Sequence, residues 1–256
     1  RRVAAQQEKD AAMMSKIKGA LTYPVIVLVV ILLVIGFMLF TVVPQVKNLY
    51  KDLGKELPVL TQIMVGTADF FINYWWIVVI LLGIGGYFFG QWLKTESGIR
   101  WKDLFKLNVP MFSGMFRKLY MARFTRTGQT LLSTGVAMLD MLQITSEAVN
   151  NTVVSEGITR SIDKVKGGKA LSASLKNEEY VREMVPQMIK IGEQSGKIDD
   201  MMGTCAQIYE DELDEEIRTI STAIEPVLMV VLAIVAGGMV GAILFPIYSL
   251  VNGINI

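Results

Sequence analysis

Three long stretches without a single charged side chain run through this 256-residue sequence, over 19–46, 70–93 and 226–256. Each exceeds the roughly 20 residues that cross a hydrocarbon core about 30 Å thick at about 1.5 Å per residue. A buried helix of a soluble core rarely runs beyond about 14 apolar residues without a charge. The stretches therefore read as three transmembrane helices, placed at 21–43, 75–93 and 226–250. Composition agrees: 52% of residues are hydrophobic and only 19% charged, against about 25% charged in an average soluble domain. Mean hydropathy is +0.43.

Basic residues near the spans give an orientation. Arg1, Arg2, Lys9, Lys16 and Lys18 precede the first span, and Lys94, Arg100, Lys102, Lys106, Arg117 and Lys118 follow the second. Only Lys47, Lys51 and Lys55 lie between them, and no charge follows the third. The N-terminus and residues 94–225 are thus expected in the cytoplasm, with 44–74 a short extracytoplasmic loop and 251–256 an extracytoplasmic tail. Trp75 and Trp76 would mark the outer interface and Trp92 the inner one.

The sequence opens Arg1-Arg2-Val3 without Met, which suggests a cut inside a longer protein. Aligning Pro24 with Pro226 places Glu8 on Glu210, Lys16 on Arg218 and Tyr23 on Glu225. Either this is a coincidence of one offset, or a helical domain feeding a span occurs twice. In the second case residues 1–20 are the end of a truncated first cytoplasmic domain.

Residues 94–225 have the length of one domain and show helical rather than strand periodicity. Phe116, Leu119, Phe124, Thr127 and Leu131 mark a helix closed at Thr134-Gly135, and 136–149 a second ending at Asn150-Asn151. Val154, Ile158, Ile162 and Val165 mark a third, stopped by Gly167-Gly168, followed by a short turn over 171–175. Pro186 suits the first position of a fourth. In the fifth, Met202, Cys205, Tyr209, Leu213, Ile217, Ile220 and Ile224 recur at steps of 3, 4, 4, 4, 3 and 4, with a run of acids from Glu210 to Glu216 on the other face. It runs without a breaker to Glu225-Pro226 and the third span. The expected fold is all-α: three transmembrane helices plus a cytoplasmic antiparallel bundle of about six helices.

Few chemistries fit. There is no histidine and one cysteine, Cys205, which excludes His-based triads, His-ligated zinc and Cys-cluster metal sites. The spans carry no Asp, Glu, Lys or Arg in their middles, as pumps and intramembrane aspartyl proteases require. Lys+Arg 25 against Asp+Glu 24 gives no electrostatic footprint for nucleic acid. Gly192-Glu193-Gln194-Ser195-Gly196-Lys197-Ile198 imitates a phosphate loop. It has three residues between its glycines where four are needed, and Ile198 where the magnesium-binding hydroxyl belongs. It reads instead as a helix stop, with Asp199 as N-cap of the next helix. The acids from Glu210 to Glu216 read as a solvated face, with a calcium or basic-partner site the alternative. Asp199-Asp200 read as helix-dipole complements. Ala233, Gly237 and Gly241, four apart, offer a close-packing face between membrane helices. No catalytic, cofactor or metal residue is assigned.

Several blocks carry a resemblance: Phe124-Thr125-Arg126-Thr127-Gly128 through Leu132-Ser133-Thr134-Gly135; Gly168-Lys169-Ala170-Leu171-Ser172; Pro186 through Gly192-Glu193-Gln194-Ser195-Gly196-Lys197-Ile198-Asp199; Glu225-Pro226; and Phe245-Pro246-Ile247. From Lys18 to Pro246 the chain resembles the secretion-F family, the inner-membrane platform of type IV pilus assembly and type II secretion. The departure is Ala137-Met138, where the family commonly has an aliphatic or proline-containing pair. The resemblance implies a non-enzymatic scaffold with two helical bundles and three spans, and here most of the first bundle is missing. It also implies a hexameric ATPase below, pilin or pseudopilin subunits in the membrane, other inner-membrane machine subunits, and self-association. It marks Gly135, Gly168, Pro186, Gly192, Glu193, Gly196, Asp199, Glu225 and Pro226 as interaction or structural positions. Glu193 would take the exposed N–H groups of the helix opening near Asp199, or face a basic ATPase surface. The alternatives are a membrane enzyme of the same pathway, such as a prepilin-type peptidase, and a transporter subunit.

Overall fold

The computed structural model describes residues 2–52, 54 and 59–252. Positions 53 and 55–58 of the expected loop and 253–256 of the expected tail lie outside the described residues. Every regular element among those described is helical: α1 (Arg2–Phe37), a π-helical turn (Met38–Val42), α2 (Val43–Asp52), α3 (Val59–Trp92), α4 (Glu96–Asn108), α5 (Ser113–Leu132), α6 (Met138–Ala148), α7 (Thr152–Lys166), α8 (Leu171–Leu175), α9 (Met184–Ser195) and α10 (Ile198–Asn252). Three segments are long and apolar enough to cross a membrane: Ala11–Asp52, Val65–Trp92 and Ile198–Gly241. The protein is thus an all-α integral membrane protein. Its chain forms two compact units, one of residues up to Ala20 with Gln91–Ser221, the other of Leu21–Gly90 with Thr222–Ile256.

In the apolar unit, large aliphatic and aromatic side chains such as Leu32, Leu33, Phe37, Leu82, Phe88, Met229 and Ile234 stand exposed. Such a surface is tolerable in lipid and not in water. Pro24 lies inside α1 and Pro226 inside α10, so neither proline ends its helix. The π-turn has a local cause. Pro44 has no N–H to continue the ladder, and the Val43 amide donates instead to the Met38 carbonyl five residues back, a single-turn π-bulge. The expected loop at 44–74 is largely helical, since α2 and the first turns of α3 occupy it. Val43, Val65 and Ala68 pack there with Leu39 and Ile72, and Lys47 pairs with Asp69 at 2.6 Å. Lys47 and Asp69 thus neutralise each other across the two helices.

The other unit is a helical bundle. Consecutive helices from α5 to α9 pack on one another, and α4 lies against α5 and α7. Phe124 and Met121 of α5, Met141 of α6, Ile158 of α7, Leu175 of α8, Ile189 of α9 and Met202 and Tyr209 of α10 form the core. The apolar stripe read from the sequence is the buried face of α10: Met202, Cys205, Tyr209, Leu213, Ile217 and Ile220 are all buried. Met13 and Ile17, one turn apart on α1, are buried as well, beside Lys16 on Asp214 at 2.5 Å. α4 is additional to the helices read from the periodicity. Thr95 starts it, its hydroxyl accepting from the Gly98 amide.

Candidate functional site

Two of the blocks that carry the resemblance, 168–172 and 186–199, meet where α9 joins α8 and α10. α9 ends with Gly196 in the left-handed region at φ +69°, a conformation that costs any residue with a Cβ about 1 kcal/mol or more. The Gly196 amide donates to the Gly192 carbonyl, and so does the Lys197 amide at 2.9 Å. Two carbonyl-seeking amides and one carbonyl thus close the helix. Gly192 itself is buried. A Cβ there would stand 2.7 Å from the Ile198 Cα, so only glycine lets the first turn of α10 lie against the end of α9. Gly135 and Gly168 repeat the left-handed closure after α5 and α7, at φ +82° and +86°.

Glu193 points away from that turn. Its carboxylate accepts from the Ser172 amide at 3.1 Å and from the Ser172 hydroxyl at 2.5 Å. Ser172 is the second residue of α8, whose preceding residue Ala170 offers no side-chain cap. Glu193 therefore supplies, from α9, the acceptor that the start of α8 lacks. Of the two roles weighed for Glu193, the bond to the helix opening near Asp199 is not made, since its carboxylate is taken by Ser172. α10 opens at Ile198, so Asp199 is its second residue rather than its N-cap, placed to complement the helix dipole. Pro186 is the third residue of α9 and buried, still within the first turn, where a missing N–H costs nothing. Beside it, Ser172, Lys176, Glu183, Gln187 and Lys190 line a cleft of about 350 Å³ between α8 and α9.

Much of the acidic run on α10 is paired rather than solvated. Arg126 of α5 grips Glu210 with two hydrogen bonds of 2.7 and 2.8 Å, both side chains about 15% exposed or less. Lys118 reaches Glu216 at 2.5 Å and Glu212 at 3.4 Å. A bidentate Arg–carboxylate pair is geometrically demanding, so these contacts set the register of α10 on α5.

Two further polar anchors involve α7. Asp103 of α4, buried, accepts from the Thr152 amide at 2.9 Å and the Thr152 hydroxyl at 3.1 Å, while Asn151 caps the Val153 and Val154 amides. Glu178, 8% exposed, takes Arg160 at 2.6 Å and Lys164 at 2.7 Å. Burial pushes its carboxyl up, but the bonds from Lys164 and Arg160 outweigh that and hold it below the usual range. Sequence reading gave Arg126, Lys118, Asp103, Ser172 and Glu178 no pairing role, because a partner many residues away leaves no periodic mark.

Glu225 and Pro226 are exposed within α10. Ala233, Gly237 and Gly241 are exposed too, with nothing within 4 Å of a Cβ at either glycine. Among the described residues no group of three or more His, Cys, Asp or Glu is placed to hold a metal ion. Gly192–Ile198 is a helix–turn–helix junction without the strand that precedes a phosphate loop. Gly192 and Gly196 fix the angle at which α10 leaves α9.

Comparison with known proteins adds the remaining observation. Residues 124–246 match the family model described as type II secretion system (T2SS), protein F. The chain is 34% identical over 252 residues to the type IV pilus assembly protein PilC of Pseudomonas aeruginosa, covering 98% of this chain and 67% of that protein. It is 34% identical over 257 residues to PilC of Thermus thermophilus, covering 100% and 63%. It is 32% identical over 237 residues to the type II secretion system protein F of Pseudomonas aeruginosa, covering 92% and 58%. The chain thus spans 58 to 67% of the length of these relatives.

Proposed function

This chain belongs to the type II secretion system protein F family, and from that membership we propose that it is the non-enzymatic inner-membrane platform of a type IV pilus or type II secretion machine. In this reading the bundle and the N-terminus face the cytoplasm and meet a hexameric assembly ATPase. The membrane helices act on pilin or pseudopilin subunits, and other inner-membrane subunits and further copies of the chain complete the machine. The exposed face of Ala233, Gly237 and Gly241 suits contact between copies. Intermolecular crosslinking between copies should fall in Gly237→Leu, and unchanged crosslinking would remove that role from the face.

One observation carries the coupling. α10 is a single helix of 55 residues, about 80 Å at 1.5 Å per residue, clamped to the bundle at its start and apolar at its end. A movement imposed on the bundle reaches the membrane through one continuous rod. The test inserts three glycines between Thr222 and Ala223, beside a control insertion of seven helix-forming residues, two turns long. The glycine variant should keep its membrane level and its co-purification with the ATPase while losing surface fibres or secretion, and the helical insertion should retain them in part. Normal assembly with the glycine insertion would refute coupling through α10.

A further inference from the structure

α4 has two faces of opposite character. Leu107 and Asp103 are buried toward the bundle, and Asp103 caps α7. On the other side Trp101 and Phe105, one turn apart, are 46% and 55% exposed, their rings stacked at 5.2 Å. Trp101 also meets the ring of Trp92 at 5.6 Å. An exposed run of three large aromatic rings is costly in water.

The place of this run in the chain says what covers it. Trp92 is the last residue of α3, the end of the second apolar segment Val65–Trp92, so it stands where the chain leaves the hydrocarbon. α4 begins four residues later and is pinned to that end. The Thr95 amide and hydroxyl both donate to the Trp92 carbonyl, at 3.0 and 2.6 Å. Gly98 packs so tightly there that a Cβ would fall within 2.0 Å of the same oxygen. Trp101 and Phe105 are thereby held close to the end of α3. Lys94 and Lys102, both exposed, flank them. Aromatic rings beside lysines at the mouth of a span are the composition that partitions into the headgroup layer.

We propose that α4 is an interfacial helix: Trp101 and Phe105 insert among the headgroups of an anionic bilayer where α3 ends, with Lys94 and Lys102 on lipid phosphates. Through Asp103 and Leu107 on its other face, α4 would then hold the bundle to the membrane surface. The occupant is lipid rather than a protein, because the aromatic run continues the lipid-spanning segment and the flanking charge is positive.

The test uses the whole chain in lipid nanodiscs. Of its four tryptophans, Trp75, Trp76 and Trp92 are replaced by Phe so that Trp101 alone reports. In discs of phosphatidylcholine with phosphatidylglycerol, Trp101 emission should be blue-shifted. It should be quenched more strongly by lipids brominated near the headgroup than near the chain end. Lys94→Gln and Lys102→Gln should each shift the seated-to-exposed equilibrium about five-fold toward exposed, and high salt should do the same. A second reporter, Phe105→Trp with all four tryptophans changed to Phe, covers the case in which the first variant misfolds. Red emission open to iodide, or blue emission without bromolipid quenching as a second copy or another protein would give, would overturn the proposal. Equal quenching in discs of phosphatidylcholine alone would overturn its anionic part.

Discussion

Removing the Glu193 carboxylate tests whether the resemblance block is a brace between helices. In Glu193→Ala the start of α8 loses an acceptor for the Ser172 amide and hydroxyl, which now bond at 3.1 and 2.5 Å. Ser172 is 8% exposed, so its freed donors find water with difficulty. Hydrogen bonds to a charged group contribute about 1.5–3 kcal/mol and loss of a helix cap about 0.5–2 kcal/mol. Glu193 is itself only half-buried, which places the expected loss near 2 kcal/mol, at the lower end of their sum. Cys205 supplies the assay. It is the one cysteine and fully buried in the bundle, so its alkylation in detergent reports opening of that unit. A loss of about 2 kcal/mol should raise the alkylation rate roughly 30-fold when opening is a fast pre-equilibrium. Ser172→Ala should lose less. The double variant should fall short of the sum by about 1 kcal/mol, the coupling expected of groups in contact. Strict additivity would refute the brace. An unchanged alkylation rate together with lost fibres would assign Glu193 to a partner instead.

Three other outcomes follow from the geometry. Glu178 is held ionised below the usual carboxylate range, so it stabilises the bundle fully above the unfolded Glu value of about 4.3 and loses that contribution as pH falls through its lower folded value. Glu178→Gln should cost about 1–2 kcal/mol near neutrality and flatten the acid limb of a stability–pH curve; an acid limb as steep as in the parent chain would contradict this. Met111 holds φ +74° in the turn closed by the Phe112 amide on the Val109 carbonyl, a position that favours Gly or Asn, so Met111→Asn should stabilise by roughly 0.5–1 kcal/mol, and a lowered midpoint would show that the exposed Met side chain has another role. A cytoplasm-active reporter fused after Asn150 should be active and one fused after Ile256 silent; the reverse pair would invert the orientation drawn from the basic flanks.

What could be read from the sequence was whatever repeats locally. The spans announce themselves by absence of charge over lengths no soluble helix needs, and α10 by a seven-member apolar stripe, all but its last member buried. Glycine stops were equally legible, since Gly135, Gly168 and Gly196 each follow a periodic run and each takes positive φ. Three kinds of feature were not. α4 lacks a clean apolar stripe because its aromatic side faces outward, and its start is written only in Thr95. The helical turns within 44–74 were hidden by Pro44 and by Lys47 and Asp69, which resemble loop residues until they are seen to pair. The acidic face of α10 looked solvated because its partners, Lys16, Lys118 and Arg126, stand on helices far away in the chain. In the last two cases the missing information was a partner, not a propensity.

The pairing of that acidic face bears on the coupling proposed for α10. An apolar stripe alone would let the helix slide or roll on the bundle, because dispersion contacts have no direction. Arg126 on Glu210 and Lys118 on Glu216 lie six residues apart on α10, nearly two turns, and both anchor to α5. Two such points on one helix, together with the closed turn at Gly196, fix its rotation as well as its position. Charged groups suit this task because a mis-set register strands a half-buried carboxylate without its partner, a penalty of several kcal/mol where an apolar slip would cost little. The bundle therefore holds the first part of α10 by direction-specific contacts, which is what the proposed coupling through this helix requires.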